Sequence, residues 1–298
     1  MIINKLTVGI ISYNRPKELN RCLNSILPIP NNVEILVCDD NSPRKSEILQ
    51  VVRDFKYSNN NVKILVNQEN FGYDKNLFNT LELADSEYVL LLGDDDMLEP
   101  NALNNIIEII NGIDFSVGFL RVRFSDVLME SLRINKISYD RNYSTIRFFS
   151  CDELQNNGSH LYNSILFSGL VFKKKSVLEF KKYIVEYFNS IYIQVAIFCL
   201  LSNKYGSYFL PGPGIMIGSD GENGFGLNES ASERDKVLIN RKSQFSNLNY
   251  QVRLIEVVKR VANNSSVSIF NSFLREYRIR FIKSAWTSRK KGRKELYE

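Results

Sequence analysis

Short apolar strands alternate with helices through the first hundred residues. The candidate strands are residues 6–12, 33–38, 62–66 and 88–92, and each is a short, mostly apolar run. The candidate helices are residues 16–27, 44–55 and 77–83, together with one that begins at Pro100, and their apolar residues recur at helical spacing. Apolar strands that alternate with helices predict a parallel sheet covered on both faces, which is an α/β fold.

Polar clusters follow three of these strands. The first strand ends in Ser12, Tyr13, Asn14 and Arg15; the second ends in Asp39, Asp40 and Asn41; the fourth ends in Asp94, Asp95 and Asp96. Ligands of such sheets bind outside the carboxyl ends of the strands, so these clusters predict one site. The aspartate triplet has no basic neighbour in sequence. A solvated acidic turn that caps the next helix is the plain alternative, although a cap needs only one carboxylate.

Several other classes of protein are disfavoured. The first strand is followed by neither a GxGxxG nor a GxxxxGK[ST] motif, which argues against dinucleotide and P-loop binding. The four cysteines form no CxxC pair and are expected to be buried thiols in a reducing compartment. No apolar stretch reaches membrane-spanning length, and the N-terminus lacks the layout of a secretory signal, so we expect a cytoplasmic protein.

The last residues of the chain are basic. Nine basic and three acidic residues fall between 271 and 298, whereas the rest of the chain is nearly neutral. An apolar stripe runs beside them at helical spacing: Phe270, Phe273, Leu274, Tyr277 and Phe281. The stripe predicts either a helix at a membrane surface or a helix packed on the protein's own body. No nucleic-acid-binding motif accompanies the basic residues, so no nucleic-acid partner is expected.

Four motifs occur in a characteristic order: "SYNRP" (12–16), "EILVCDDNS" (34–42), "NFG" (70–72) and "YVLLLGDDDMLEP" (88–100). With them the chain resembles family 2 glycosyltransferases of the GT-A fold over about residues 5–115, especially bacterial members that build O-antigen or capsule. The resemblance implies a Rossmann-like, mostly parallel sheet flanked by helices. It places a GT-A domain at 1–228, with a nucleotide-sugar half (1–115) and an acceptor half (116–228), and a helical C-terminal region with a basic tail at 229–298.

The resemblance also implies roles for the clustered residues. A Mn²⁺ or Mg²⁺ ion would bind Asp95 first, with Asp94 sharing the metal or facing the ribose and Asp96 supporting the site or approaching the acceptor. Asp39 would hydrogen-bond the nucleotide base, and Asp40 and Asn41 would form a turn and cap a helix. The other implied nucleotide-sugar-binding residues are Ser12, Tyr13, Asn14, Arg15, Lys75, which would meet the diphosphate, and Asn76, which would fix the loop.

The catalytic base is where the chain departs from the family pattern. Inverting members carry an acidic pair before a helix, but Asn189 and Ser190 stand at the matching positions, and Glu186 is the nearest acid. Asp220 and Glu222, in the glycine-rich stretch 218–226, are the substitute candidates, and a plain turn is equally compatible with that stretch.

The expected activity is metal-dependent, inverting transfer of a sugar from a nucleotide donor, UDP-sugars first, to a hydroxyl of a lipid-linked glycan. The expected place is the cytoplasm, with peripheral contact of residues 271–298 at the inner face of the membrane. A catalytically inactive nucleotide-sugar-binding module in a glycan assembly complex is the alternative.

Overall fold

The computed structural model describes residues 5–59, 61–124, 145–156, 158–218, 248–265, 270–275 and 277–278. Its strands are β1 (Leu6–Ser12), β2 (Val33–Asp39), β3 (Val62–Val66), β4 (Tyr88–Gly93), β5 (Met97–Leu98), β6 (Val117–Phe124), β7 (Arg147–Phe149), β8 (Leu170–Lys173) and β9 (Ser207–Ile217). Its α-helices are α1 (Pro16–Ser25), α2 (Lys45–Ser58), α3 (Tyr73–Leu83), α4 (Ala102–Gly112), α5 (Cys151–Asn156), α6 (Lys174–Glu179), α7 (Lys181–Ile184), α8 (Ile193–Tyr205) and α9 (Leu248–Ser265).

These strands form one open sheet in the order β3-β2-β1-β4-β8-β6-β9-β5, and β7 also pairs with β9. Strands β3, β2, β1 and β4 are parallel, β8 runs antiparallel between β4 and β6, and β6 and β9 are again parallel. The predicted mostly parallel sheet is therefore confirmed. Its register pairs Ser12 with Asp39, Asp39 with Val66 and Ile11 with Gly93, which brings the predicted polar clusters to one edge.

Two apolar layers cover the sheet. Alternate strand residues such as Val8, Ile35 and Leu90 pack under α1, α2 and α4. Residues of the opposite parity, such as Leu36 and Leu91, pack under α3, α8 and α9. Because a parallel strand is buried on both faces, its sequence is continuously apolar, as in β1 and β4.

Helix α8 is buried on all sides from Ile193 to Ser202. The sheet lies on one side of it and α9 on the other, in the same apolar cluster. This explains why its sequence lacks a polar face. None of the helices in the described part of the chain has the length and apolar composition to cross a membrane.

The C-terminal apolar stripe packs on the protein's own body as far as it is described. Phe273 is fully buried and stacks on Tyr162 at 5.8 Å between ring centroids. Phe270, Leu274 and Tyr277 are partly buried against the same cluster. Of the two alternatives, packing on the body holds for these four residues; Phe281, the rest of the basic tail and the predicted domain boundary at 228 lie outside the described residues.

Two helix starts differ from expectation. Helix α3 begins at Tyr73, four residues before the predicted Leu77, because Gly72 takes a positive φ of 82° and directs the chain straight into the helix. Helix α4 begins at Ala102 and not at Pro100, since Asn101 is left-handed with φ 67° and interrupts the turn.

The cysteines match the prediction of buried thiols in three cases. Cys22, Cys38 and Cys199 are buried, whereas Cys151 is partly exposed at the start of α5, and all four are free. Cys22 Sγ lies 3.5 Å from the carbonyl oxygen of Gly93, directly under the aspartate triplet.

Candidate active site

The ends of β1, β2 and β4 meet at one edge of the sheet. The backbone N–H of Asp40 donates to the carbonyl of Ser12 at 3.0 Å, and that of Asp94 donates to the carbonyl of Ile11 at 3.3 Å. The backbone N–H of Tyr13 donates to Asp94 Oδ2 at 3.1 Å. The three predicted clusters are thus in direct contact, while their ligand-binding roles stay predictions.

Asp94 and Asp95 share one cationic partner. Nη1 of Arg15 lies 3.2 Å from Asp94 Oδ1 and 2.7 Å from Asp95 Oδ2. The side chain of Asp94 is only 5 % exposed and that of Asp95 is 24 % exposed. Burial raises the pKa of Asp94, the charge of Asp95 raises it further, and Arg15 opposes both. The partner that the aspartates lack in sequence is therefore supplied from the end of β1.

Asp96 faces the other way. Its Oδ2 accepts the hydroxyl of Ser168, and its Oδ1 accepts the backbone N–H of Gly218 at 3.0 Å. Ser168 Oγ also accepts the backbone N–H of Gly93 at 2.9 Å. Burial, followed by the charge of Asp95, raises the pKa of Asp96. The carboxylate of Asp96 thus ties the chain after β4 to Ser168, two residues before β8, and to Gly218, directly after β9.

Gly218 is pressed against the triplet. A Cβ at this position would lie 1.9 Å from the backbone oxygen of Asp95, so only glycine fits without a shift. The same oxygen accepts a hydrogen bond from Nη2 of Arg21 at 2.9 Å. Gly218 itself therefore lies beside Asp95 and Asp96.

Asp39 is fully buried and serves its own loop. Its carboxylate accepts the backbone N–H of Ser42 at 3.0 Å and the hydroxyl of Ser42. That hydroxyl oxygen in turn accepts the backbone N–H of Asn14 at 2.7 Å. Burial raises the pKa of Asp39. Asp39 and Ser42 thus connect the loops after β1 and β2, the predicted walls of a nucleotide pocket.

The expected capping role of Asp40 is wrong. No side chain caps α2, whose N-cap is Arg44. Asp40 reaches across to the turn before α3, where it accepts the backbone N–H groups of Phe71 and Gly72, each at 2.8 Å. The turn after β2, which Asp40 was expected to stabilise, is held by Asp39 and Ser42 instead. Asp39 precedes Ser42 by three residues, and its carboxylate accepts both the backbone N–H and the hydroxyl of that serine. Asn41 has the left-handed φ of 53° of a turn residue.

The side chain of Asn76, near the start of α3, ties that helix to the ends of β2 and β3. Its Nδ2 donates to the carbonyl of Cys38 at 3.0 Å, and its Oδ1 accepts Nδ2 of Asn67 at 3.0 Å. Asn67 Nδ2 also reaches Asp40 at 2.8 Å. Lys75 is exposed, with Nζ 5.9 Å from the ring centre of Phe71. This lysine is therefore accessible to solvent, and its predicted contact with the diphosphate stays a prediction.

Among the described residues, no three His, Cys, Asp or Glu side chains form a group that could hold a metal ion. Asp94 and Asp95 nevertheless aim one oxygen each at a common positive charge, the guanidinium of Arg15. A hard divalent cation accepts one or two carboxylates when phosphate oxygens complete its shell. The residues present fit such a two-carboxylate site. Both oxygens of Asp96, the third predicted metal ligand, accept hydrogen bonds from Ser168 and Gly218. This favours Asp94 and Asp95 over Asp96 as metal ligands.

The two predicted catalytic bases, Asp220 and Glu222, lie outside the described residues. Glu186 is exposed, and Asn189 and Ser190 stand just before α8. Asn189 and Ile191 have positive φ values of 67° and 62°, and for a β-branched isoleucine this backbone is strained.

Sequence reasoning missed Asp74, which holds this strained segment. Its carboxylate accepts the backbone N–H of Ile191 at 2.8 Å and that of Ile193 at 3.4 Å. Burial raises the pKa of Asp74 to about 6. The sequence signal was an acid inside "GYDKN", just before the helix that was predicted to begin at Leu77.

Comparison with known proteins identifies the family. The family model "Glycosyl transferase family 2" matches residues 7–167. A relative from Campylobacter jejuni, GalNAc(5)-diNAcBac-PP-undecaprenol beta-1,3-glucosyltransferase, is 30% identical over 193 residues. That alignment covers 62% of this chain and 57% of the relative, so the match spans little more than half of the relative's length.

Solved structures agree in fold. TarS 1-349 of S. aureus in complex with UDP-GlcNAc has a TM-score of 0.59 at 19% identity, covering 88% of this chain and 81% of that one. Mannosyltransferase PcManGT from Pyrobaculum calidifontis, in complex with GDP-Man and Mn2+, has a TM-score of 0.55 at 12% identity, covering 91% and 70%. Together with the open sheet and its flanking helices, these matches lead to one conclusion: the chain belongs to glycosyl transferase family 2 and has the GT-A fold.

Proposed function

We propose that the protein transfers a sugar from a nucleotide-sugar donor to a hydroxyl of a lipid-linked glycan, with Mn²⁺ or Mg²⁺ bound at Asp95 and Asp94. The observation that carries the proposal is the pair of carboxylates after β4, both directed at one positive charge, at the same edge of the sheet as buried Asp39. Family membership supports the reaction class.

A UDP-sugar is the proposed donor. TarS is described with UDP-GlcNAc, and GalNAc-T7, another neighbour of similar fold, is described with UDP, GalNAc and Mn2+. PcManGT is described with GDP-Man, so a guanine nucleotide belongs in the test. In this chain the loops after β1 and β2, linked through Asp39 and Ser42, would receive the nucleoside, and exposed Lys75 would meet the diphosphate.

A divalent cation, when bound, would neutralise the negative charge that develops on the departing diphosphate. Asp95 and Asp94 would hold it, because their oxygens already converge on one cation. Asp96 would support the site through Ser168 and Gly218. The acceptor hydroxyl would attack the anomeric carbon while a carboxylate accepts its proton, with inversion of configuration.

Asp220 and Glu222 remain the proposed bases, since Gly218, two residues before Asp220 in sequence, lies against Asp95 and Asp96. We expect Asp220→Asn or Glu222→Gln to reduce turnover strongly while nucleotide affinity is kept. If both variants turn over like the parent, Glu186 and Asp152 are the next candidates. The absence of an acidic pair at Asn189 and Ser190 is the one observation that favours the alternative, an inactive binding module.

The acceptor is proposed to be lipid-linked because the Campylobacter relative is named for a PP-undecaprenol substrate. Such an acceptor suits a role in O-antigen or capsule synthesis at the inner face of the membrane. Since Phe270, Phe273, Leu274 and Tyr277 pack on the body, membrane contact would rest on the basic residues of 271–298. Co-sedimentation with anionic vesicles should then weaken with salt and disappear when residues 279–298 are deleted.

The central experiment measures nucleotide release from UDP-, dTDP-, CDP- and GDP-sugars with Mn²⁺, with Mg²⁺ and in EDTA, using a lipid-linked glycan as acceptor. The proposal expects release with one nucleotide class that requires both the cation and the acceptor. Tight nucleotide binding without release from any donor would support the inactive module. Full activity in EDTA would contradict the metal proposal.

A further inference from the structure

The position of Arg15 has a consequence beyond neutralising two aspartates. Its Nη1 contacts one oxygen of Asp94 and one of Asp95 at the same time, and the arginine side chain is only 16 % exposed. The remaining oxygen of Asp94 accepts the backbone N–H of Tyr13. The guanidinium therefore occupies the point at which the two carboxylates converge.

A guanidinium and a divalent cation compete for that point. A cation such as Mg²⁺ binds carboxylate oxygens at about 2.1 Å, and Arg15 already contacts one oxygen of each aspartate. Two positive charges that share the same oxygens repel strongly, because the site is largely shielded from water. Arg15 must give up at least part of its contact for a metal to bind both aspartates.

The donor offers Arg15 another partner. Arg15 is the residue before α1 and belongs to the loop after β1, one of the predicted pocket walls. A diphosphate presents several anionic oxygens, and a guanidinium binds such oxygens with two parallel N–H donors. The displaced arginine could therefore pair with the diphosphate that arrives with the metal.

We propose that Arg15 acts as an exchangeable counter-ion: it closes the Asp94–Asp95 site in the ligand-free protein and transfers to the donor diphosphate when metal and donor bind together. This inference rests on the proposed function. Metal alone displaces Arg15 from Asp94 and Asp95, whereas metal with nucleotide also brings the diphosphate to which Arg15 transfers. Each ligand therefore raises the affinity for the other by the same factor, as linkage requires.

The test removes the competing charge and measures binding, not turnover. Mn²⁺ binding to the full chain is followed by the EPR signal of free Mn²⁺, with and without saturating UDP, for the parent and Arg15→Gln. We expect Mn²⁺ alone to bind Arg15→Gln about fivefold or more tightly than the parent, and the enhancement by UDP to shrink by a similar factor.

Arg44→Gln is the matched control, because it also removes one positive charge, from the loop after β2, and the described ion pair of Arg44 is with exposed Glu47. It should leave both Mn²⁺ affinities unchanged. Arg15→Lys is a second variant that keeps the charge and the repulsion, so bare Mn²⁺ should bind it no more tightly than the parent. Thermal unfolding with and without Mn²⁺ confirms that each variant is folded.

The outcomes separate the two proposals. Unchanged or weaker binding of bare Mn²⁺ by Arg15→Gln, in a parent that binds Mn²⁺ with UDP, overturns the counter-ion role and leaves the proposed function standing. Binding of Mn²⁺ by Arg15→Gln alone supports the counter-ion role even if the parent binds none. No Mn²⁺ binding by either protein, with or without UDP, overturns both.

Discussion

Two acidic clusters lie at the ends of strands on either side of β1, and they are satisfied differently. At the end of β2, Asp39 and Asp40 accept hydrogen bonds from neutral groups of the surrounding loops. At the end of β4, Asp94 and Asp95 contact a guanidinium. Neutral donors built into the backbone hold a loop in place, whereas a charged side chain can exchange one partner for another. We infer that the β2 cluster shapes the pocket and the β4 cluster acts on the ligand.

The largest expected difference is in activity. Asp95→Ala should lower metal-stimulated turnover by about 10²-fold or more, because it removes a charge that would hold the cation at the diphosphate. Its side chain is partly exposed, so the thermal midpoint should stay close to that of the parent. Rates with Mn²⁺ and in EDTA, with exposed Asp54→Ala as the control, measure this. Parent-like turnover in Asp95→Ala would contradict the proposed division of roles.

Asp40→Ala should show the opposite pattern. It leaves the backbone N–H groups of Phe71 and Gly72 without their carboxylate acceptor, which should lower the free energy of unfolding by about 2–3 kcal/mol. UDP binding should weaken, while the ratio of rates with and without metal stays unchanged. Urea unfolding and UDP titration measure both effects. A stable Asp40→Ala that has lost its metal dependence would reverse the comparison.

Ser42→Ala is a milder change in the same cluster. The hydroxyl donates to Asp39 and accepts the N–H of Asn14, so its loss should cost about 1–2 kcal/mol. The expected sign is a lower thermal midpoint and a higher KM for donor at unchanged kcat. A lowered kcat with unchanged KM would indicate that this serine supports the chemistry and not the pocket.

The smallest expected effect is on the pH dependence of stability, through the ionisation of Asp96. Burial raises its pKa, so the free energy of unfolding falls as the pH rises through that pKa. Asp96→Asn can still accept the N–H of Gly218 and can donate to Ser168, but it carries no charge. In EDTA at pH 8 its thermal midpoint should exceed that of the parent by about 2–4 °C, and the gap should close near pH 4. A gap independent of pH would show that ionisation is not the cause.

The sequence was sufficient for the parallel half of the sheet and for the meeting of its polar ends. A strand buried on both faces must be continuously apolar, so β1 and β4 are visible in the sequence, and parallel strands must end on the same edge. The resemblance then implied roles for Asp39, Asp94 and Asp95 at that edge, and these roles stay predictions.

The contacts that could not be predicted from the sequence join residues that are far apart in the chain. Ser168 meets Asp96 across 72 positions, and Ile191 meets Asp74 across 117. Neither pairing leaves a periodic signal, because each is created by the way β8 and α8 pack on the first half. Strands β5 and β7 contain two and three residues, too short for a detectable alternation. The hydrogen bond from the backbone N–H of Phe71 to Asp40 was not predicted, because an aspartate after a strand more commonly stabilises the turn next to it.

The burial of three cysteines determines how this protein reacts with thiol reagents. Reaction with a maleimide requires a thiolate in contact with solvent. Burial raises the pKa of Cys22, Cys38 and Cys199, and none of these thiols is exposed. A maleimide fluorophore at neutral pH should therefore attach to Cys151 alone, with a stoichiometry near one by mass spectrometry. The natural chain would then carry a single dye at the start of α5, so that ligand titrations can be followed by fluorescence anisotropy without an engineered cysteine.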